Sequence, residues 1–524
     1  MIDLPSSHQP ITSRGNPSLV ECMLANAMAH PEVLAAVQGE HTWTFGRFAS
    51  DVRRLSAGML AQGIRPGDRI VLQLGNCVPA LLACYAGLAI GAIVVPLDPA
   101  FKIAEMKRLL DVLQPSLYLA APELDRLLED SIPSFLPAGR RFTVEAAHKD
   151  GRSGTWQTLL ANDDPDVFSF THDPDAHAIL IATSGATGDP KLVTHTQKTL
   201  LHTVELAIAF GWNRNVKAVC HAPLYRPLGA YALVMCMSLG VPCILAECSQ
   251  FEPGPVLDAI ERHRCTRVAA PPLEIAKLIR AQREAPRKVD CLSSCMVFGD
   301  SAAPELFDDF ERVFGTPLHN LVAMSEAIGC LYLGTNNRSV RAVPGLAKLV
   351  DEHGAPTPEG DAGELVVRGE NLFKGYWKSP GVVDDPKRDG WYHTGDMMRQ
   401  TEDGEWSYEI RRSDVIVRAG QRLSPVEIAR VLMTHPAVAD AAVAGVTDPF
   451  LGQRVVGFIE LVDPSRPCDT NDILGHAAHQ LADYKVPEVL AVVDMIPRNG
   501  VGKVSRRVLA AMAAQFEIRV GDLE

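Results

Sequence analysis

Ala178-Ile179-Leu180-Ile181-Ala182-Thr183-Ser184-Gly185-Ala186-Thr187-Gly188-Asp189-Pro190-Lys191 is the stretch on which the reading of this chain turns. It opens as an unbroken apolar run with β-branched members, the pattern of a strand buried on both faces. A loop with two glycines and three hydroxyl residues follows. Such a loop turns backbone N–H groups and side-chain O–H groups toward one anion, and a nest of this kind suits a polyphosphate. Lys191 adds a point charge. The loop is not a Walker loop, because Lys191 does not directly follow Gly188 and is followed by Leu192 in place of Ser or Thr. No G-x-G-x-x-G follows a strand, which argues against a dinucleotide site.

Outward from this loop, helical patterns alternate with short β-rich runs. Residues 69–74, 92–96, 117–120, 241–245, 267–270 and 295–298 read as strands, and residues 47–62 and 256–263 as helices. The alternation predicts an α/β fold of parallel sheets covered by helices. Residues 78–97 are uncharged, apolar and about long enough to span a bilayer. Gly87, Gly91 and the closing Val94-Val95-Pro96 instead predict a buried helix, a turn and a strand. Near Gly363 the texture changes to Gly- and Asp-punctuated runs that predict antiparallel strands. A helix is expected over 425–433, strands near 438–446 and 455–461, a helix near 472–482, and a basic tail at 503–507. The expected organisation is a large N-terminal domain of helix-flanked sheets, residues 1–411, and a small mobile α+β domain, residues 414–524, hinged near 412–413.

With 524 residues the chain is too long for one core. A net charge of −13 without a long basic run argues against nucleic acid as a partner. The twelve cysteines are scattered without a C-x-x-C pair or zinc spacing, which predicts reduced thiols in a cytoplasmic protein. No N-terminal signal core and no membrane span are expected.

Further motifs lie in order along the chain: Met324-Ser325-Glu326; Gly363 to Gly369 with Gly375-Tyr376-Trp377; Asp389-Gly390-Trp391-Tyr392-His393-Thr394-Gly395-Asp396; Arg411-Arg412-Ser413-Asp414; Tyr484-Lys485-Val486-Pro487; and Pro497-Arg498-Asn499-Gly500-Val501-Gly502-Lys503. Together with the loop, and with Trp43-Thr44-Phe45 and Gly67-Asp68-Arg69, this set resembles the acyl-adenylate-forming superfamily over about residues 20 to 510. That group holds acyl- and aryl-CoA ligases, the adenylation domains of peptide synthetases, and luciferases. The chain departs from the family pattern at Ala186, Leu192, Val322 and Ser413.

The resemblance implies activation of a carboxylic acid by ATP, release of pyrophosphate, and transfer of the acyl group to a thiol. The thiol is that of coenzyme A or of a carrier protein's phosphopantetheine. A free amine acceptor, giving an amide, is the alternative, and the oligomeric state, including a homodimer, stays open. Thr183, Ser184, Gly185, Ala186, Thr187, Gly188 and Lys191 would hold the phosphates, and Glu326 with Thr187 would hold Mg²⁺. Asp300, Ser301, Ala302, Val322, Ala323, Met324 and Ser325 would line the nucleotide site, and Asp396 and Arg411 would take the ribose. Lys503 would bridge the substrate carboxylate and the phosphate. Arg418, Ala419 and Gly420 would face the acceptor after the small domain rotates about Ser413.

On the acyl side, Tyr225, Arg226, Gly229, Ala302, Ala303, Ile328 and Leu331 are the expected pocket residues. Arg226 either pairs with a second anionic group on the substrate or points to solvent; Ile328 and Leu331 fit core packing as well as a pocket wall. A hydrolase reading of Gly299-Asp300-Ser301 fails for want of a late Asp-x-x-His and of a G-x-S-x-G elbow. A non-catalytic nucleotide-binding protein is the other rival, and Glu326, Asp396 and Lys503 speak against it.

Overall fold

A computed structural model describes residues 17–128, 136, 138–144, 154–164, 166–167, 173–183, 190–208, 211–246, 251–299, 302, 304–327, 331–334, 336–401, 403–411, 414–419, 421–448, 451–465, 468–498, 504–505 and 508–513. The larger part is built on three sheets. In the first, Leu318–Leu321, Ser294–Phe298, Arg267–Ala270, Ala218–Cys220, Cys243–Leu245 and Leu34–Gln38 run parallel in that order, and His41–Thr44 closes one edge antiparallel. The second sheet orders Val382–Asp384, Gly375–Ser379, Lys191–Thr196, His177–Thr183, Ile93–Pro96, Arg69–Gln73, Leu117–Ala120, Arg141–Thr143 and Gly154–Thr155. The second sheet is parallel from His177–Thr183 to Gly154–Thr155, as the α/β pattern predicts, while Lys191–Thr196, Gly375–Ser379 and Val382–Asp384 extend it antiparallel. His177–Thr183 pairs antiparallel with Lys191–Thr196, Thr183 opposite Lys191.

The third sheet, Leu331–Leu333, Val340–Ala342, Trp406–Arg411, Tyr392–Gln400, Ala362–Val367 and Ala347–Val350, is antiparallel throughout. Its texture begins before Gly363, where two of its strands are only three residues long. Strands that short carry too little alternation to be read from sequence.

The apolar stretch that matches a membrane span in length is a buried helix, Val78–Ala89, followed by a turn and the strand Ile93–Pro96. Every residue of that helix except Pro79 is buried, which explains an apolar character all round the axis. A Cβ at Gly87 would lie 2.7 Å from Val94 Cγ2, so glycine there lets helix and strand close on each other. Among the described residues no helix is long and apolar enough to cross a membrane.

The smaller C-terminal part is α+β. Ile416–Arg418 and Gln421–Leu423 form a hairpin, and Val438–Asp448, Gly452–Leu461 and Val489–Val492 form a three-stranded sheet. The helix Pro425–Met433 starts where Ser424 Oγ accepts from Glu427 N at 3.3 Å and Pro425 occupies the first turn, where its missing N–H costs nothing. Ile416, Ile428, Leu432, Val443, Ile459 and Ile473 pack into a core of its own.

Candidate functional site

The carboxylate of Glu326 stands on a tight turn. Met324 and Ala327 exchange both backbone hydrogen bonds at 3.2 Å, which puts Ser325 and Glu326 at the corner. Behind the corner, the Ser325 carbonyl accepts from His195 Nε2 at 2.8 Å and from the Tyr231 hydroxyl at 3.1 Å. His195 lies on the strand that starts at Lys191, and Tyr231 lies on the helix Pro227–Leu239. In front, Glu326 Oε1 accepts from the Tyr376 hydroxyl at 2.8 Å and from that of Tyr392 at 3.3 Å. Lys191 Nζ sits 4.7 Å from the centroid of the Tyr376 ring. The last residue of the Gly-rich segment thus meets the acidic turn across a single tyrosine.

Charge follows from this packing. Burial, with Glu326 beside it, pushes the Tyr376 hydroxyl far above the ordinary phenol range, so it remains a donor. Its hydroxyl and that of Tyr392 bond only one carboxylate oxygen in these contacts. A hard oxygen donor held this way is the ligand type that Mg²⁺ takes, so Glu326 fits the ion that the family resemblance implies.

His195 is fully buried, and burial pushes its imidazole down to about 4 despite the opposing hydrogen bond to Ser325. The unfolded chain holds that proton up to about 6.5. Stability from the neutral ring is therefore complete above the unfolded value and is lost as pH falls from there toward 4. At pH 5 the expected loss is about 2 kcal/mol. Urea unfolding of wild type and of His195→Gln, which keeps a donor for Ser325 but does not titrate, tests this. Between pH 7 and pH 5 wild type should lose about 2 kcal/mol more than the variant, and equal losses would exclude the assignment.

Asp396 lies within a strand, beside an irregularity in its pairing with Ala362–Val367. Thr394 Oγ1 donates to the Leu365 carbonyl at 2.8 Å and accepts from Asp396 N at 3.0 Å. Glu364 accepts from Gly395 N at 3.0 Å and from His393 Nδ1 at 3.1 Å. Gly395 has φ +76°, which a side chain would strain. Arg411 is the cross-strand partner of Asp396. Tyr392 and Asp396 share a strand, so the turn that carries Glu326 and the Asp396 carboxylate are fixed relative to each other.

Other expected positions are distributed as follows. Thr183 ends its strand with Oγ1 toward the Lys191 carbonyl at 3.4 Å. Val322, Ala323, Met324, Ser325 and Ala302 are half-buried. Leu331 is fully packed into the core, 2% exposed. Ala419 adopts φ +46°, and the Arg418 guanidinium donates to the Tyr484 carbonyl at 2.7 Å and pairs with Glu488. Ser184, Gly185, Ala186, Thr187, Gly188, Asp300, Ser301, Ala303, Ile328, Ser413, Gly420 and Lys503 lie outside the described residues.

On the acyl side Arg226 lies just ahead of the helix Pro227–Leu239 and is half-buried. Its guanidinium faces Glu274 at 3.9 Å, and Glu274 also bonds His221 Nε2 at 3.1 Å. Glu274 opens the helix Pro272–Glu284, forty-eight positions along the chain from Arg226, and nothing local announces the pair. Tyr225 is buried beside it. A Cβ at Gly229 would lie 2.1 Å from the Pro223 carbonyl oxygen, so only glycine lets the helix start this close to the preceding loop. Tyr376, Tyr392, Glu364, His195 and Glu274 are the positioning residues that motif reading left unassigned.

Residues 24–377 match the family described as AMP-binding enzyme, and residues 427–503 match the AMP-binding enzyme C-terminal domain. A feruloyl-CoA synthase of Amycolatopsis sp is 30% identical over 504 residues, covering 93% of this chain and 98% of that protein. A putative acyl–CoA ligase of Bacillus subtilis is 27% identical, covering 94% and 98%. Among solved structures, the o-succinylbenzoate CoA synthetase of Bacillus subtilis, captured with its acyl-adenylate intermediate, superposes with a TM-score of 0.80 at 24% identity, covering 93% of this chain and 97% of that one. At that identity the superposition shows the shared fold.

Proposed function

Because the chain belongs to the AMP-binding enzyme family, we propose that it converts a carboxylic acid and ATP into an acyl-adenylate and pyrophosphate, then passes the acyl group to the thiol of coenzyme A. The observation that carries this reading is the convergence of Lys191, Tyr376 and Glu326, with Asp396 fixed on the strand of Tyr392. A carboxylate oxygen attacks the α-phosphorus, and the bond to the departing pyrophosphate breaks. Two anions meet in this step, so the residues around it must supply positive charge and donors already in place. Lys191 and the segment 183–188 serve the leaving phosphates, Asp396 and Arg411 the ribose, and Lys503 the attacking carboxylate. Mg²⁺, when bound, neutralises phosphate charge, and Glu326 with Thr187 would hold it.

In the second step the thiolate sulfur attacks the acyl carbon and AMP leaves with the bonding electrons. We place the hinge at 412–413, with residues 414–524 turning as one body to withdraw Lys503 and present the loop 418–420. The anchoring of Arg418 on Tyr484 and Glu488 supports this, because it ties the loop to the small domain that carries it. Coenzyme A is favoured as acceptor because relatives matched over nearly their whole length are named as CoA-dependent ligases.

Acid-dependent exchange of labelled pyrophosphate into ATP, run over aryl, fatty, cyclic and amino acids, tests the first step. Mass detection of the thioester with coenzyme A tests the second. Exchange with one or more acids and a matching CoA thioester are expected. No exchange with any acid would overturn the activity, and exchange with thioester formed only on a carrier protein would overturn the acceptor.

A further inference from the structure

Twelve cysteines lie scattered along the chain, and the fold gathers three of them at one point. Cys220 ends the strand Ala218–Cys220, Cys243 begins the neighbouring strand Cys243–Leu245, and Cys236 lies in the last turn of the helix Pro227–Leu239. Ala218 is level with Cys243 in the parallel register, and alternate residues of a strand share a face, so Cys220 and Cys243 stand on the same face one step apart. Beyond Cys236, Gly240 turns the chain at φ +72° and returns it through Pro242 into the strand at Cys243. The three Sγ atoms all lie within 4.8 Å of one another.

All three side chains are buried in the main core. A single buried cysteine serves as a small apolar filler, but one sulfur from a helix and two from adjacent strands form a three-ligand cup. The three thiols hydrogen-bond one another, and with burial the balance holds each well above the ordinary thiol range, so each keeps its proton at neutral pH. Between the strands Ala218–Cys220 and Arg267–Ala270 and the first turns of the helix Pro227–Leu239 lies a cavity of about 30 Å³, room for about two water-sized groups. Cys220 lines it, together with Trp212, His221 and Ala232. Cys220 is therefore the member of the cluster that a small solute in the cavity meets.

We propose that Cys220, Cys236 and Cys243 form a binding site for trivalent arsenic, a centre that takes three sulfur ligands and is neutral when it holds them. The number of ligands and the proton balance select it over a metal cation. Zn²⁺ is almost always held by four ligands in structural sites, and among the described residues three cluster here. Zn²⁺ or Cu⁺ would also have to expel protons from thiols that burial keeps neutral. Arsenous acid is itself uncharged at neutral pH and exchanges neutral for neutral. Each cysteine gives up its S–H bond for an S–As bond, each As–OH bond breaks, and the proton leaves with the hydroxyl as water. Three waters form, arsenic stays trivalent, and no oxidant or reductant takes part. The site is separate from the phosphate and ribose residues of the activity proposed above.

The test incubates the full chain, reduced with a phosphine that leaves no competing thiol, with arsenite. Excess is removed by gel filtration, arsenic is measured by elemental analysis, and its neighbours are identified by X-ray absorption. Wild type should hold one arsenic per chain, with three sulfur neighbours and no oxygen. Cys220→Ala, Cys236→Ala and Cys243→Ala should each lose most of it, and any arsenic that remains should show an oxygen neighbour. Cys468→Ala, which removes a half-buried cysteine of the smaller C-terminal part, should bind like wild type. The three-sulfur signature of wild type decides the matter if an alanine variant does not fold. No retained arsenic, an oxygen neighbour in wild type, or equal retention by all three alanine variants would overturn the inference. So would one zinc or copper per chain that is lost with the same cysteines and is not displaced by arsenite. Each readout is independent of adenylation, so failure here leaves the proposed activity intact.

Discussion

Replacing Lys503 with alanine is expected to slow acid-dependent pyrophosphate exchange by about 10²–10³-fold, while thioester formation from pre-formed acyl-adenylate stays within a few-fold of wild type. The asymmetry is the informative part. In the first half-reaction a carboxylate approaches a polyphosphate, and the barrier is raised by their mutual repulsion. A lysine that touches both reactants removes that repulsion only when it is already in position, because a mobile ammonium from solvent would have to be desolvated during the step. In the second half-reaction the phosphate already carries the acyl group, the attacking sulfur approaches carbon, and a cation between carboxylate and phosphate has nothing left to bridge. Lys503→Arg should recover little, since a broad planar fork does not replace a compact point charge between two anions. Pyrophosphate exchange together with single-turnover thioester formation from synthetic acyl-adenylate measures both halves. Unchanged exchange in the alanine variant, or equal losses in both halves, would remove Lys503 from the role.

The elements legible in the chain are those whose periodicity is set by burial on one or two faces. Arg69–Gln73, Leu117–Ala120 and Arg267–Ala270 are short apolar runs between helices and are found where the pattern places them. The helix Pro425–Met433 has its cap, its first-turn proline and its apolar spacing together, and its bounds agree with the sequence. The strand Lys191–Thr196 is different. An apolar strand leading into a Gly-rich loop is compatible with a following helix or a following strand, and only pairing with a distant partner, Gly375–Ser379 against Lys191–Thr196, decides it. The site shows the same division. Glu326 and Asp396 are readable because their motifs are local. The clamp on Glu326 is not, because Tyr376 and Tyr392 lie 50 and 66 residues away and reach it from two different sheets. Arg226 shows the limit most plainly. Its local sequence leaves open whether the cation meets substrate or solvent, and its neighbour Glu274 is set by where another helix begins.

Glu326→Gln is the second substitution expected to act strongly, with a fall of about 10²-fold or more in exchange rate and a rise in the Mg²⁺ concentration that supports half-maximal rate. The change is close to isosteric, so the turn at Met324–Ala327, pinned from behind by His195 and Tyr231, has no reason to move. The Tyr376 and Tyr392 hydroxyls retain an amide oxygen to donate to, at the positions where they now meet Oε1. What is lost is one negative charge and one hard oxygen ligand. An amide is a weaker ligand for Mg²⁺ than a carboxylate, and the ion in turn is what offsets phosphate charge when the bond to pyrophosphate breaks. A purely structural role for Glu326 predicts a lower melting temperature and no change in metal requirement. The proposed role predicts the reverse: thermal stability near wild type, weaker nucleotide binding by calorimetry in the presence of Mg²⁺, and little difference between the two proteins when EDTA is added. If the glutamine variant shows wild-type Mg²⁺ dependence, Glu326 is not the metal-side carboxylate, and the Tyr376–Tyr392 clamp is a packing feature of the junction between the second and third sheets.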